Sequence, residues 1–300
     1  MAKKQRIINY TLTKRIEQQY GRDLYNVSSE VDRMVNSFIR RIDTSKERIE
    51  IEDVSDLIEK LQEYSEKIND WATKTANRMI YSLESQDLKQ WEQHSKKMSV
   101  LMKQQLKQAD IKRIMNQYMN DNVRLITSLP LNAAQRVHKL VTENLVTGKR
   151  ASSVAKEIMK TGQVTQSRAN LIARTETSRA VTGLVMARAE SIGLDWFCWK
   201  STGGFSGDGR TRKAHRKMEG VVMKWDTPPN PEALFPEPKV KAYGNYLPGA
   251  TFNCRCWAMP LIRLDDITWP AKIFTGGRIV KMNKQQFMKI ANQEFYKQAA

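Results

Sequence analysis

The segment Gly193-Leu194-Asp195-Trp196-Phe197-Cys198-Trp199-Lys200 separates two parts of the chain that differ in periodicity. Before it, apolar side chains recur at the three- and four-residue spacing of amphipathic helices, and Gly193 is well placed to end the last of them. Within it, the aromatic run from Trp196 to Lys200 predicts a β-strand, because aromatic residues favour extended backbone. The sequence therefore predicts a mainly α fold, in which a long-helix N-terminal region is followed by a small α+β C-terminal module.

The N-terminal region has the composition of long helices. Between Tyr10 and Met119 there is no proline, and Gly21 is the only glycine. Apolar residues recur there at helical spacing, while strong helix formers such as lysine, arginine, glutamate and glutamine fill the other faces. The apolar phase shifts between Ser45 and Asp53, where polar residues cluster, and this shift predicts a break between two helices.

A second helical set is predicted between Pro130 and Ser191. Pro130 is predicted to open this set, with Asn132 as the N-cap of its first helix and Gly148 as the C-terminal stop. The set is predicted to close with a long helix from Gln166 to Ser191.

The C-terminal part alternates short elements with loops. A short helix is predicted from Thr211 to Met218 and a brief strand from Val221 to Met223. The Pro-rich stretch from Pro228 to Pro238 predicts a long loop, and the run from Cys254 to Leu261 predicts the final strand. Short strands and helices mixed in this way beside a helical body indicate an α+β module. In the tail that begins at about Asp265, a basic helix is predicted.

These changes of pattern predict four segments. A chain of 300 residues is long enough for about two domains, so some segments are parts of one domain. The segments are residues 1–128, a helical N-terminal region; 129–193, a second helical part; 194–264, the α+β module; and 265–300, a basic C-terminal tail.

The formal net charge of +18 is the outlier of the composition. A positive excess of this size favours a polyanionic partner, most simply nucleic acid, and the plain alternative is a generally basic solvated surface. No run of about 18 apolar residues is present, so no membrane span is expected. Residues 1–6 are basic but lack the apolar core of a secretory signal. Three cysteines do not form a disulfide framework, and folding in a reducing cytoplasm is therefore expected.

Two of the three cysteines and one of the three histidines lie between Asp208 and Cys256. If Cys254 and Cys256 lie on a strand, their side chains face the same side, because side chains alternate along a strand. Both sulfurs could then approach one metal ion, with His215 as third ligand and Asp208 or Cys198 as fourth, and such ligands suit zinc. Two other interpretations stay open: buried thiols with a hydrogen bond between His215 and Asp208, or a redox or nucleophilic role.

Asp208 also has a purely structural interpretation. Aspartate before glycine, followed by Arg210-Thr211-Arg212, is typical of a tight turn that caps the next helix, here the one that carries His215. Arg255, between the two cysteines, is predicted to point to the opposite face and to pair with an acid such as Asp208 or Glu219.

The motif Ala173-Arg174-Thr175-Glu176-Thr177 lies on the predicted long helix. Glu176 precedes Arg179 by three residues, so an intrahelical ion pair between them is available. Arg174 and Glu176 are interpreted as part of a polar patch that fixes the helix against the following module. A catalytic role is disfavoured, because no complementary nucleophile or base is identifiable beside them in the sequence.

Four motifs in this order resemble those of the phage head-morphogenesis family of minor capsid proteins, which includes the F protein of phage Mu. They are A-R-T-E-T at 173–177, D-x-R-T and a following histidine at 208–215, M-x-G at 218–220, and P-G followed by N-C-R-C at 248–256. The resemblance covers residues 130–261. It implies a low-copy capsid component that associates with the portal protein and with other capsid or scaffolding proteins. It further implies a role in head assembly and in DNA packaging or delivery.

The resemblance implies a non-enzymatic minor head protein, and the net charge of +18 predicts non-specific contact to double-stranded DNA. Its predicted location is the capsid interior near the portal of the virion, and the host cytoplasm during assembly. Two alternatives from other classes stay open. One is a metal-dependent nuclease or other hydrolase built on Asp208, His215, Cys254 and Cys256. The other is a host-cell helical protein that binds nucleic acid.

Overall fold

A computed structural model describes residues 10–95, 98, 100–291 and 296. The ends of the predicted N-terminal region and tail, residues 1–9, 292–295 and 297–300, lie outside the described residues. The chain divides into two compact units. The sheet unit comprises Met1–Thr13, Tyr81–Asn116 and Thr175–Ala300, and the helical unit comprises Lys14–Ile80 and Gln117–Arg174. The four-segment division at residues 129, 194 and 265 stays a prediction.

Helices account for most of the described chain before Gly193, and all described strands follow it. The helices are α1 Tyr10–Ile39, α2 Ser55–Lys67, α3 Asn69–Ser95, α4 Val100–Gln108, α5 Lys112–Thr147, α6 Ala151–Met159, α7 Thr161–Ser191, α8 Lys213–Lys217, α9 Pro231–Leu234 and α10 Lys284–Met288. The strands are β1 Trp196–Lys200, β2 Val221–Lys224, β3 Trp257–Pro260, β4 Ala271–Thr275 and β5 Arg278–Met282. The predicted fold class, mainly α with a small α+β C-terminal module, is confirmed. Among the described residues, no helix is both long and apolar enough to cross a membrane.

The helical unit is held together by apolar side chains from α1, α2, α5 and α6. Its fully buried members include Val31, Val35, Leu61, Val137, Val141 and Ile158. After α1 the chain is irregular until a 3-10 helix at Glu52–Val54, and the predicted break between Ser45 and Asp53 is confirmed. The backbone N–H of Ala151 donates to the carbonyl of Glu47 at 3.2 Å, so the irregular connection is anchored to the start of α6.

Pro130 lies inside α5, so the prediction that it opens a new helical set, with Asn132 as N-cap, is wrong. A proline inside a helix removes one backbone hydrogen bond and costs about 3 kcal/mol. Burial of the neighbouring apolar residues offsets this cost, since Leu129 and Ala133 are almost fully buried. Tertiary packing therefore overrides the local signal of the proline.

The sheet unit contains a five-stranded sheet with the order β3-β1-β2-β4-β5. Strand β1 pairs antiparallel with both β2 and β3, so Cys198 lies opposite Val222 on one side and Met259 on the other. Strand β2 pairs parallel with β4, and β4 pairs antiparallel with β5. The first four residues of β1 are all buried. Because successive side chains point to opposite faces, both faces of β1 are covered.

The module and the tail differ from the prediction in three details. The sheet extends into the tail through β4 and β5, where only a basic helix is predicted, and the helix present there is the short α10. The strand predicted from Cys254 to Leu261 is β3, which begins only at Trp257, so Cys254 and Cys256 precede it. The stretch predicted as loop contains α9, because the side chain of Asn230 caps a helical turn by accepting from the N–H of Ala233.

A buried ion-pair network lies within the sheet unit. Arg188 of α7 is 3% exposed and donates from Nε to Asp87 at 2.6 Å and from Nη2 to Glu84 at 2.5 Å. Desolvation by burial raises the pKa of Asp87 to about 7, although the neighbouring Arg188 opposes the rise. The guanidinium of Arg188 therefore stabilises the charged form of the buried Asp87 carboxylate.

Replacing Arg188 with methionine is expected to lower the free energy of unfolding by about 3 kcal/mol at pH 8, because the carboxylate of Asp87 stays buried without its partner. The loss should shrink as the pH falls from 8 toward 5, since the raised pKa lets Asp87 become protonated and neutral in the folded state. Urea unfolding at a series of pH values measures both effects. The matched control is Arg33→Met, which removes an exposed partner of Glu30 and should leave the unfolding midpoint unchanged. Equal midpoints for the two variants would contradict the prediction.

Candidate metal centre

Three side chains able to ligate a metal ion converge in the sheet unit: His215, Cys254 and Cys256. His215 lies on α8, and the two cysteines lie in the loop that leads into β3. The Nδ1 atom of His215 is 3.4 Å from the Sγ atom of Cys254 and 3.4 Å from that of Cys256. All three ligand atoms lie within 4.8 Å of one another, and all three residues are buried. The structure thus brings His215 to both cysteines, as the motif predicts.

The other nitrogen of His215 faces a buried tyrosine and a buried glutamate. The Tyr246 hydroxyl oxygen lies 2.8 Å from His215 Nε2 and 2.7 Å from each carboxylate oxygen of Glu232. The single hydroxyl proton is donated to the carboxylate, because an ionised carboxylate only accepts. The hydroxyl oxygen therefore accepts from Nε2–H of His215. When Nδ1 carries no proton, its lone pair faces the two sulfurs.

The two thiols differ in their affinity for the proton. A hydrogen bond from Cys256 holds the pKa of Cys254 well below its usual range, and His215 adds to this effect. Burial raises the pKa of Cys256, and the neighbouring Cys254 raises it further. The backbone N–H of Gly249 donates to Cys254 Sγ at 3.4 Å. Of the two thiols, Cys254 therefore loses its proton more readily than Cys256.

Asp208 does not join this cluster, although the sequence offers it both as a metal ligand and as a hydrogen-bond partner of His215. Its carboxylate accepts from the backbone N–H of Arg210 at 3.1 Å and of Thr211 at 3.0 Å. It also lies 2.6 Å from Arg255 Nη1. The Thr211 hydroxyl, with the N–H of Arg210 and the side chain of Arg255, lowers the pKa of Asp208 to about 2. The hydrogen bonds of the tight turn and the ion pair with Arg255 thus occupy the carboxylate of Asp208.

Two other residues considered as partners also lie outside the cluster. Cys198 of β1 contacts the carbonyl of Trp199 through its Sγ atom at 3.8 Å, and burial raises its pKa to about 11. Glu219 accepts from the backbone N–H of Ser201 at 2.6 Å, so it closes the loop between β1 and α8. Within the described residues, the group able to ligate a metal ion therefore consists of one imidazole and two thiols.

Side chains of α7 hold the loop that carries the cysteines. The Thr182 hydroxyl donates to the carbonyl of Pro248 at 2.6 Å. The backbone N–H of Asn253 donates to the Thr175 hydroxyl at 3.3 Å. These two contacts fix both ends of the loop to one helix, and one of them comes from the A-R-T-E-T motif. They support the interpretation of that motif as a polar patch that positions the module.

The charged residues of the same motif form ion pairs. Glu176 is buried, and one of its carboxylate oxygens lies 3.1 Å from Arg179 Nη1, as the three-residue spacing predicts. Arg174 lies in the helical unit, where its Nε is 3.7 Å from a carboxylate oxygen of Glu17. Their positions favour a structural role for both residues.

The sequence does not identify Glu232 or Tyr246 as site residues. Glu232 follows Pro231 at the start of α9, where an acidic residue is common for helix stability alone. Tyr246 precedes the Pro-Gly pair of the cysteine loop, and this adjacency is the one local signal that points to it. No sequence spacing links either residue to His215, because the contacts form only when α8, α9 and the loop pack together.

Gly249 brings the cysteine loop against α7. Its φ is +85°, and a Cβ atom there would lie 3.0 Å from the carbonyl oxygen of Cys256 and 3.0 Å from the Thr182 hydroxyl. Gly249→Ala is therefore expected to lower the free energy of unfolding by more than the roughly 1–2 kcal/mol that a left-handed backbone alone costs a residue with a side chain. Thermal and urea unfolding measure the loss.

The control for this variant is Gly244→Ala. Gly244 has a similar φ of +88°, but no atom lies within 4 Å of an added Cβ, so it isolates the backbone cost. Losses of equal size in the two variants would show that the close approach at Gly249 contributes nothing.

Residues 135–259 match a family model described as Phage Mu protein F like protein. An uncharacterized protein of Haemophilus influenzae strain Rd is similar to the chain, with 27% identity over 168 residues, which are 56% of this chain and 33% of that protein. The chain thus spans about one third of the length of this curated relative. No solved structure matches the chain. The matched region contains all four motifs, so over residues 135–259 the chain is similar to the Phage Mu protein F like family.

Proposed function

We propose that the protein is a non-enzymatic minor head protein of a tailed phage. In this proposal it associates with the portal protein and with other capsid or scaffolding proteins, and it acts in head assembly and in DNA packaging or delivery. The match of residues 135–259 to the Phage Mu F-like family carries the proposal. The proposed location is the capsid interior near the portal, and the host cytoplasm during assembly.

The buried state of the cluster supports a structural role over catalysis. A metal-dependent nuclease must admit a phosphodiester to its metal ion. His215 and Cys254 are each only 2% exposed, so a nucleic-acid strand has no access to them in this conformation. Asp208, the carboxylate of the alternative nuclease site, is held by Arg255 and by the N–H groups of its own turn. The four residues of that alternative therefore do not form one site.

The distribution of charge supports a position beside packaged DNA. The chain has 50 lysines and arginines against 32 aspartates and glutamates. Among the described residues, Arg188 is the one lysine or arginine that is buried. The cationic excess therefore faces solvent, for example at Lys239 and Lys241, where phosphate groups can reach it.

Co-expression with the portal protein of the same phage is expected to yield a stable complex that co-purifies and co-elutes in size-exclusion chromatography. The physical reason is that a low-copy head protein needs a specific protein contact to be placed in the capsid. Mass spectrometry of purified proheads and virions is expected to detect the chain at a copy number far below that of the major capsid protein.

Nuclease treatment of the lysate and a wash at high salt exclude a complex bridged by DNA, because non-specific electrostatic binding weakens steeply with salt. A second basic protein of similar net charge serves as the negative control. Absence of the chain from phage heads at every stage of assembly would refute the proposal.

The protein is expected to bind double-stranded DNA without sequence preference. Affinity should fall steeply and linearly on a plot of log K against log salt concentration, because each phosphate contact releases counterions. Fluorescence anisotropy titrations at several salt concentrations, with two duplexes of equal length and unrelated sequence, measure the slope and the preference. Absence of binding at low salt, or binding that is indifferent to salt, would contradict DNA contact and would favour a merely basic solvated surface.

A further inference from the structure

We infer that His215, Cys254 and Cys256 bind one thiophilic divalent cation, for which zinc is the best match, and that Tyr246 and Glu232 position the imidazole for this cation. The two thiolates come from one loop and the imidazole comes from α8, so two separate segments supply the three ligands. The cation therefore fastens α8 to the loop between α9 and β3.

The distances between the ligand atoms fit a tetrahedral zinc ion. Zinc binds sulfur at about 2.3 Å and imidazole nitrogen at about 2.0 Å, which places the two ligand atoms about 3.5 Å apart at a tetrahedral angle. The two observed distances from His215 Nδ1 to the sulfurs of Cys254 and Cys256 are both 3.4 Å. The imidazole nitrogen is therefore already at the separation from each sulfur that one shared ion requires, and all three ligand atoms lie within 4.8 Å of one another.

Without a cation, the Cys256 thiol donates to Cys254, and only one sulfur can donate to Nδ1. A neutral imidazole with its proton on Nε2 has a single lone pair at Nδ1, and one lone pair accepts one well-aligned hydrogen bond. Both sulfurs nevertheless lie at the same distance from this atom. A cation that replaces the thiol protons satisfies all three ligand atoms at once.

The partners of Nε2 are those of a metal-bound histidine. Such histidines commonly donate the second ring N–H to a carboxylate, a carbonyl or water, which fixes the tautomer and the ring orientation. Here the Tyr246 hydroxyl accepts from Nε2–H at 2.8 Å and donates to Glu232 at 2.7 Å. The chain from Glu232 through Tyr246 thus directs the Nδ1 lone pair toward the two sulfurs.

The composition of the site selects the kind of cation. Thiolates and imidazole are soft or borderline ligands that suit zinc, whereas magnesium and calcium require oxygen ligands. Among the described residues, the cluster contains no carboxylate within reach of the ion. Three protein ligands leave the fourth tetrahedral position to a small ligand such as water.

The test uses the full chain, produced without a polyhistidine tag, with zinc and cobalt(II) as probes. After dialysis, elemental analysis is expected to find about one zinc per chain, the stoichiometry of a single tetrahedral site. Cobalt(II) substitution should produce a thiolate-to-cobalt charge-transfer band in the near ultraviolet. A folded wild-type chain that retains no zinc and shows no such band would overturn the inference.

Three alanine variants make a matched set. Cys254→Ala and Cys256→Ala should each lose the bound zinc and weaken or abolish the cobalt band. Cys198→Ala removes a buried thiol outside the cluster and should keep both. Equal metal content in all three variants would overturn the assignment of the ligands. If either cluster variant fails to fold, a fall in the melting temperature of the wild type on adding a chelator supports the site, and an unchanged melting temperature counts against it.

Tyr246→Phe tests the positioning role separately. This variant keeps the ring packing but removes the acceptor for Nε2–H, so the stoichiometry should stay the same while zinc affinity falls roughly 10- to 100-fold. Competition with a chromophoric chelator measures the affinity. An affinity equal to that of the wild type would remove Tyr246 and Glu232 from the inference.

Discussion

The imidazole of His215 is buried, and each of its ring nitrogens needs a polar partner there, because an unpaired polar group in the interior costs about 1–3 kcal/mol. The loop from Tyr246 to Cys256 meets this requirement from two directions. Its first residue binds Nε2, and its two cysteines contact Nδ1. Trp199 of β1 lies edge-on to the same ring, with the centroids 5.6 Å apart. One side chain thereby fixes the loop, α8 and the sheet relative to one another.

The segment from Asp208 to His215 contacts the cysteine loop at two places, one inside the module and one nearer its surface. The inner connection runs from His215 to the two sulfurs, and the outer one from Asp208 to Arg255 at 2.6 Å. The alternation of Cys254, Arg255 and Cys256 makes both connections possible, because the middle side chain points away from its neighbours. The turn at Asp208 and helix α8 therefore contact different side chains of the cysteine loop, although the cysteines lie before β3 and not on a strand.

The sequence predicts elements whose signal is local. Strand β1 appears at its predicted bounds because its aromatic run needs no distant information, and the turn at Asp208 follows from the Asp-Gly-Arg order. The features that the sequence does not predict depend on packing between distant parts of the chain. Burial of its neighbours keeps Pro130 inside α5, and β4 is a strand because β2 offers a parallel edge. Glu232 reaches the site only through the fold.

The two features that indicate function in the sequence are segregated in the structure. The cysteines and histidine are interior, whereas the excess of lysine and arginine faces solvent. A buried cluster can affect the rest of the protein only through its stability. The proposed contacts with DNA and with capsid proteins would therefore be made by surface residues. All three cysteines are free, so no disulfide stabilises the module. A cation held by two thiolates and an imidazole cross-links the module without an oxidant, and it does so only when the loop, α8 and the Tyr246 hydroxyl are correctly assembled.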